Sequence, residues 1–208
     1  MSQPELPSLC LCMIVKNETR VLPRCFGSLA PYIDYWVISD TGSTDGTQAF
    51  IRDYFAERDI AGELFDDPWV DFGANRTTCL RHAKGKAKFL LMVDADEQAV
   101  VSDPNFVDTL ETGGGYMLEV GSARFSYKVT VLLDGALDYT FKGVTHEYLQ
   151  LPKGAWHKTH TGLRLSHSAD GANRSDKFTR DIRLLTKGLK DEPRNARYHF
   201  YLGESYRN

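Results

Sequence analysis

The chain has 208 residues, of which 42% are hydrophobic and 25% charged, a composition typical of a globular protein with a substantial core. The formal net charge of −3 provides no general basic field, which argues against nucleic acid as a partner. No apolar run approaches the roughly 18 residues of a transmembrane segment, and the N-terminus lacks the features of a signal peptide. We therefore expect a cytoplasmic protein, either free or at the inner surface of the membrane.

The N-terminal half alternates between apolar runs and helical patterns. Residues 9–15 form a continuous apolar run, as expected for a strand buried on both faces of a sheet. The alternation predicts an α/β fold with a mostly parallel central sheet flanked by helices. The other strands are predicted at 35–39, 62–67 and 88–93, and the helices at 18–29, 47–58 and 73–83.

The C-terminal half has a different pattern. Strand-like alternation over 115–133, with further pieces near 139–150 and 160–167, predicts antiparallel additions to the sheet. Helical periodicity returns at 176–190 and again at 196–207. The first of these helices is expected to bury one apolar face, formed by Phe178, Ile182, Leu185 and Leu189.

The last predicted helix contains a repeat signal. Residues 202–206 (LGESY) match the L-G-x-x-Y core of a tetratricopeptide (TPR) helix, although His199 stands where that pattern has tryptophan. The alternative is a plain amphipathic C-terminal helix. We predict one domain over 1–174 and the start of a TPR-like region at 175–208, and we expect the natural protein to continue beyond Asn208.

The four cysteines are Cys10, Cys12, Cys25 and Cys79. The Cys-x-Cys of the first two could be half of a metal site, but the other two do not form a matching pair. We therefore predict buried free thiols in a reducing cytosol.

Polar and acidic residues follow three of the predicted strands. They are Lys16–Glu18 after the first strand, Asp40–Gly46 after the second and Asp94–Glu97 after the fourth. Ligands of an open parallel sheet bind at the carboxyl ends of its strands. We therefore expect these loops to converge on one site.

The acidic run after the fourth strand contains an Asp-x-Asp. In an extended chain Asp94 and Asp96 point the same way, because strand side chains repeat every two residues. Two carboxylates facing one spot require a cation, and hard oxygen ligands suit Mg²⁺ or Mn²⁺. Such an ion keeps positions open for phosphate oxygens, which predicts a nucleotide-diphosphate ligand. The alternative is a solvated turn.

The other loop residues each allow two interpretations. Asp40 could accept a hydrogen bond from a nucleobase or cap the following helix, and residues 41–47 (TGSTDGT) could form a cap and turn without any ligand. Asn17 and Glu18 could mark only a helix start, and Arg76 could reach a base, a phosphate or solvent. The P-loop and Rossmann phosphate-binding patterns are both absent from the sequence.

Four motifs together resemble glycosyltransferases of the GT-A fold, and more narrowly the large inverting family 2. They are CMIVKNE (12–18), VISDTGSTDGT (37–47), GANRTTCLRHA (73–83) and LLMVDADE (90–97). The C-terminal half resembles a bacterial subgroup in which TPR repeats follow this domain. Its motifs are GVTHEYL (143–149), RLSHSADGA (164–172), KFTRDIRLL (177–185) and RNARYHFYLGESYRN (194–208).

The resemblance implies roles for particular residues. Asp40 would face the base, Arg76 would contact the base or diphosphate, and Asp94 and Asp96 would hold Mn²⁺ or Mg²⁺. His167 is a candidate third metal ligand, and a structural histidine is the equal alternative. The nucleotide pocket would be formed by Val15, Asn17, Glu18, Asp40, Arg76, Asp94 and Ala95.

The catalytic base is assigned to Glu147 by the same resemblance. The family has a Glu-Asp pair at this place, whereas this sequence has His146-Glu147. A surface acid at a strand end is the alternative for Glu147, and Asp138 and Asp170 are reserve candidates.

The resemblance implies a metal-dependent inverting glycosyltransferase that uses a nucleotide-diphosphate sugar. UDP-sugar is favoured over GDP-sugar, and the acceptor would be a nucleophile on a protein, a saccharide or a lipid-linked saccharide. One rival is a nucleotidyltransferase, although its usual Gly-rich loop with Arg and Lys after the first strand is absent. The other rival is a non-catalytic scaffold that binds nucleotide sugars.

Overall fold

The computed structural model describes residues 5–122, 125–172 and 176–207. Within these ranges the chain builds one eight-stranded sheet, a separate two-stranded ladder and five α-helices. None of the helices in the described ranges combines the length and apolar character needed to cross a membrane.

The first four strands form a parallel block. They are β1 (Leu9–Val15), β2 (Tyr35–Asp40), β3 (Ala61–Asp66) and β4 (Phe89–Met92), and they alternate with the helices α1 (Leu22–Leu29), α2 (Thr47–Ala56) and α3 (Phe72–Ala83). The predicted alternation of strands and helices is confirmed. The strands pair in the order β3-β2-β1-β4, and Val15 at the end of β1 lies beside Asp40 at the end of β2.

Helix α1 begins later than predicted. The amides of Val21 and Leu22 both donate to the Glu18 carbonyl, so residues 18–21 form a turn and not the first turn of the helix. Asn17 has a left-handed backbone (φ 57°), which turns the chain sharply at the end of β1. Glu18 is thereby placed at the edge of the sheet and not on a helix surface.

The second half adds four strands to the sheet. These are β5 (Glu97–Val101), β6 (Gly114–Gly121), β7 (Ser126–Asp134) and β10 (Trp156–His167). Strand β7 is antiparallel to both β4 and β6, as predicted for the additions, whereas β6 and β10 are parallel. Strand β5, which the sequence did not predict, is antiparallel to β10. The sheet order is β3-β2-β1-β4-β7-β6-β10-β5, and β8 (Thr140–Lys142) and β9 (Tyr148–Gln150) form the separate ladder.

The four cysteines lie in the core, with side chains that are fully buried and not disulfide-bonded. The Sγ atoms of Cys10 and Cys12 are 3.9 Å apart, and the Cys79 thiol contacts the Met13 carbonyl at 3.3 Å. The prediction of buried free thiols is confirmed. Burial raises the pKa of Cys12 well above its usual value, so this thiol is protonated and unreactive.

The C-terminal helices are α4 (Lys177–Asp191) and α5 (Ala196–Arg207). The prediction of an apolar face on α4 is wrong in part, because Phe178 is exposed. The buried face is rotated instead to Asp181, Leu184, Leu185 and Gly188. Gly188 allows the two helices to approach closely, since a Cβ there would lie 2.9 Å from the Tyr198 ring. The buried Asp181 interrupts the apolar pattern, which is why periodicity alone misplaced the face.

Candidate active site

The carboxyl ends of β1, β2 and β4 meet at one edge of the sheet, as expected from the sequence. A cleft of about 300 Å³ opens there, and we call it the first cleft. Of the predicted site residues, Val15, Glu18, Arg76, Asp94, Ala95, Asp96 and His167 line it. Its other lining residues are Ile14, Lys16, Thr41, Trp69, Phe72, Gly171, Lys177, Arg180 and Arg183.

The acidic run forms the turn between β4 and β5. The Glu97 amide donates to the Asp94 carbonyl at 3.0 Å, and the Glu97 carboxylate accepts from the Asp94 amide at 2.9 Å. Glu97 therefore closes the turn and leaves the Asp94 and Asp96 side chains at its tip. His167, the last residue of β10, lies opposite Glu97 in the sheet. Its Nδ1 is 3.7 Å from oxygens of both Asp96 and Glu97.

Glu18 adds a further carboxyl group to this cluster. It is 6% exposed, and one of its oxygens accepts from the Ala172 amide at 3.0 Å. Burial, together with the charges of Asp96 and Asp94, raises the pKa of Glu18 to about 7. The carboxylates of Glu18, Asp94 and Asp96 are thus close enough to repel one another, as in a cluster that receives a cation.

The carboxylate oxygens of Asp94 and Asp96 in the first cleft fit a hard divalent ion whose remaining ligands come from its substrate. Among the described residues, no three His, Cys, Asp or Glu side chains are arranged to hold a metal by themselves. Mg²⁺ is commonly bound through one or two carboxylates plus substrate phosphates. Asp94 and Asp96 could supply those carboxylates, and the Asp94 side chain is 41% exposed toward the open space.

Arg76 connects Asp94 to Glu147. Its Nη2 donates to Asp94 Oδ1 at 2.6 Å, and its Nε donates to Glu147 Oε1 at 2.7 Å. The Arg76 side chain is only 12% exposed. Burial alone would lower the pKa of Arg76, but the two carboxylates outweigh burial and raise it. The guanidinium is therefore a fixed positive charge between two acids.

Helix α3 positions Arg76. The helix is capped by Asp71, whose Oδ1 accepts from the Ala74 amide at 2.7 Å. The next helical turn then presents Arg76 to the end of β4. Gly73 permits close contact with the loop before Glu147, because a Cβ there would lie 2.4 Å from the Gly143 carbonyl oxygen.

A second cleft, of about 550 Å³, lies on the other side of Arg76. Arg76 and Asp94 line both clefts, whereas Glu147 lines only the second. The walls of the second cleft are mainly apolar and aromatic. Its remaining lining residues are Met92, Glu97, Val120, Phe125, Tyr127, Val129, Val131, Phe141, His146, Arg197 and Tyr201.

Two predicted nucleotide-pocket residues do not line the first cleft. Asp40 is fully buried, and its Oδ1 accepts from the amides of Gly42 and Ser43 at 2.9 and 2.8 Å. Its Oδ2 has no hydrogen-bond partner within the described part of the chain. The Asn17 Oδ1 accepts from the Thr44 amide at 2.7 Å. Both side chains brace the loop after β2, and their roles toward a nucleotide stay predictions.

The reserve candidates for the base lie outside both clefts. Asp138 is 78% exposed and pairs at 2.6 Å with Lys84, beyond the C-terminal end of α3. Asp170 pairs at 2.6 Å with Arg24. Neither residue lines either cleft, which leaves Glu147, a lining residue of the second cleft in contact with Arg76, as the candidate base.

Sequence reasoning missed the basic wall of the first cleft. Lys177, Arg180 and Arg183 come from α4 and line the first cleft together with Asp94 and Asp96. Their spacing of three residues places them on one helix face, so the sequence alone could have predicted a basic face on this helix. What the pattern did not reveal is that α4 returns to the strand ends of the N-terminal half.

The comparisons with known proteins agree with this architecture. A model of glycosyl transferase family 2 matches residues 10–114, which is 105 of the 208 residues. The chain therefore belongs to glycosyl transferase family 2, and its fold is the GT-A fold.

A curated relative from Synechococcus elongatus, a TPR repeat-containing protein, is 35% identical over 92 residues. The match covers 44% of this chain, and it spans about a fifth (21%) of the length of that relative.

Two solved structures are similar in fold. The mannosyltransferase PcManGT from Pyrobaculum calidifontis, in complex with GDP-Man and Mn²⁺, has a TM-score of 0.52 and 14% identity, covering 90% of this chain and 65% of that one. TarS from S. aureus (residues 1–349), in complex with UDP, has a TM-score of 0.51 and 14% identity, covering 95% and 70%. At this level of identity the likeness concerns the fold alone.

Proposed function

We propose that the protein is a metal-dependent inverting glycosyltransferase. The donor would bind in the first cleft and the acceptor in the second. The observation that carries this proposal is the Asp94–Arg76–Glu147 bridge, because it places a candidate metal-binding acid and a candidate base on opposite sides of one guanidinium. A sugar held at Arg76 would lie between the two clefts.

The donor is a nucleoside-diphosphate sugar in this proposal. The complexes of TarS with UDP-GlcNAc and UDP, and of PcManGT with GDP-Man, support this class. In this chain the negative charge of a diphosphate would be met by the basic residues that line the first cleft. They are Lys16, Arg76, Lys177, Arg180 and Arg183.

Asp94 and Asp96 would hold the Mn²⁺ or Mg²⁺, with His167 beside them as the candidate third ligand. The Mn²⁺ in the PcManGT complex supports this assignment. A bound divalent ion would stabilise the negative charge of the departing nucleoside diphosphate. Arg76 would contribute a second positive charge at the same place, with no proton exchange because it stays ionised.

Glu147 would remove the proton from the attacking group of the acceptor. In a single displacement the acceptor attacks the anomeric carbon from the side opposite the leaving diphosphate, so the configuration inverts. Glu147 lines the second cleft, where the acceptor would bind in this proposal. Arg76 engages its Oε1 and fixes the direction of the carboxylate.

The C-terminal helices would begin a TPR-like region, with a domain boundary near residue 174. The name of the S. elongatus relative supports this part of the proposal. The exposed Phe200 and Tyr206 on α5 are what a helix that packs against a further repeat would present. Such repeats favour a protein acceptor or partner, and glycan acceptors would also fit the aromatic second cleft.

Calorimetric titration of UDP and GDP, with Mn²⁺ and with EDTA, tests the donor site. We expect one nucleotide to bind only with Mn²⁺. Asp96→Ala should weaken that binding by more than about 100-fold, the upper range for loss of an outer-shell partner of a metal. Asp108→Ala, at an exposed position, is the control and should bind normally. Equal binding by wild type and Asp96→Ala would refute the metal assignment.

Nucleotide release from UDP- and GDP-sugars, with water as the acceptor, tests the base. Glu147→Gln should keep nucleotide affinity and slow release by about 10²–10⁴-fold, the usual contribution of a general base. Glu119→Gln, on the exposed face of β6, is the matched control. A wild type that binds the nucleotide but turns over no donor would instead indicate a scaffold.

A further inference from the structure

The loop that carries Glu147 has an unusual backbone. Residues 143–147 connect β8 to β9, and both Gly143 (φ 108°) and His146 (φ 50°) are in the left-handed region. This conformation is disfavoured for a non-glycine residue, so the surrounding structure must hold His146 in place. Glu147 follows it directly, and the direction of its side chain depends on this residue.

Helix α5 contributes the contacts that restrain the backbone at His146. The Nε and Nη2 of Arg197 both donate to the His146 carbonyl oxygen, at 3.0 and 2.6 Å. Charge-assisted hydrogen bonds of this kind are stronger than neutral ones. The Arg197 guanidinium also lies 5.0 Å from the Tyr201 ring centre and 5.3 Å from that of Tyr148, which fixes its own position.

Helices α5 and α4 both contact the His146 side chain. Its ring stacks on Tyr201 of α5, with centres 4.0 Å apart and planes within 2°. Its Nε2 lies 3.5 Å from Asp181 Oδ2 of α4, and the Thr145 hydroxyl donates to Asp181 Oδ1 at 3.1 Å. Burial alone would raise the pKa of Asp181, but His146 and Lys177 lower it to about 2. The loop is therefore attached to a buried, charged carboxylate.

We propose that Arg197 and Tyr201 are positioning residues that act through Glu147. They keep the His146–Glu147 peptide in the conformation that points Glu147 at Arg76. The C-terminal helices, which the sequence separates from the transferase domain, are then part of the catalytic apparatus. This inference rests on the proposed role of Glu147 as the base.

The test is nucleotide release from UDP- and GDP-sugars by Arg197→Met. We expect kcat to fall about 10- to 100-fold, the scale for displacing a catalytic group by about 1 Å. The donor KM and the calorimetric affinity for UDP or GDP with Mn²⁺ should stay unchanged, because Arg197 does not line the first cleft. Arg197→Lys should restore part of the rate, since a lysine can still donate to the His146 carbonyl.

Three further variants make the outcome decisive. Arg207→Met removes an exposed arginine of the same helix, paired with Glu204, and should be normal. Tyr201→Leu removes the ring under His146 and should reproduce the kcat defect. The double variant Glu147→Gln with Arg197→Met should be no slower than Glu147→Gln alone, because the two residues act at one step.

The results separate failure of this inference from failure of the proposed function. If Glu147→Gln loses turnover but Arg197→Met and Tyr201→Leu keep wild-type kcat, α5 does not position the base. Additive losses in the double variant would show that Arg197 acts independently of Glu147 and would also overturn the inference. Full turnover by Glu147→Gln would refute the base itself, and the positioning role would fall with it.

Discussion

The Arg76–Glu147 contact should have a large coupling energy in the folded protein. The two side chains are 12% and 13% exposed and 2.7 Å apart. Exposed ion pairs contribute about 0–1 kcal/mol, whereas breaking a buried pair costs about 3–5 kcal/mol. Because the partly exposed Asp94 shares the guanidinium, we expect a coupling between these limits, about 2 kcal/mol.

A double-mutant cycle measures that coupling. The variants are Arg76→Met, Glu147→Gln and the two together, and their free energies of unfolding come from urea titrations at pH 8. Loss of the Arg76–Asp94 contact occurs in both variants that contain Arg76→Met, so its effect cancels in the cycle. The remaining term reports the contact between Arg76 and Glu147.

The control cycle uses Lys158 and Glu111. Their charged atoms are 2.6 Å apart, but the side chains are 47% and 66% exposed. We expect their coupling to be much weaker than that of Arg76 and Glu147, because solvent screens an exposed ion pair. If the two cycles gave the same small value, Glu147 would not be held by Arg76 in solution, and the bridge between the two clefts would not exist.

Two further predictions concern the surroundings of the site. In EDTA at pH 8, Glu18→Gln should have a free energy of unfolding up to about 3 kcal/mol higher than that of wild type. The raised pKa of Glu18 makes the stabilising effect of this residue complete below about pH 4.5 and lost as the pH rises through about 7. Parallel stability–pH curves for the two proteins would contradict this prediction. Gly73→Ala should destabilise the protein by about 1–3 kcal/mol, since its Cβ would meet the Gly143 carbonyl. The control Gly27→Ala lies on α1, where an added Cβ would meet no other atom, and it should instead stabilise the protein by about 0.5–1 kcal/mol. Thermal unfolding of the two glycine variants measures both effects.

Sequence patterns predicted the N-terminal half well because β1, β2 and β4 are almost entirely buried. A short run that is apolar throughout, such as 9–15, is typical of an interior strand, and the loops after such parallel strands meet at one edge. Strand β5 was not predicted. It begins at Glu97, inside the acidic run, and only its pairing with β10 makes it a strand.

The second cleft and its support could not be predicted from local patterns. Arg76 and Glu147 are 71 residues apart, and nothing near either residue indicates their contact. The buried face of α4 was misplaced because Asp181 is buried through partners on the loop at 145–146 and on its own helix. Such contacts depend on tertiary structure, which periodicity does not encode.

Residues that are far apart in the sequence build the first cleft, and this determines when a newly synthesised chain can bind a donor. The Glu18 carboxylate is held by the Ala172 amide, 154 residues further along the chain, and Arg24 is held by Asp170, 146 residues further. Contacts of such long range form slowly, because a long loop must close before they can stabilise anything. During synthesis the parallel strands can assemble early, but the first cleft is completed only after residue 183, its last lining residue, has left the ribosome. Donor binding should therefore be acquired late, near the end of synthesis of this region.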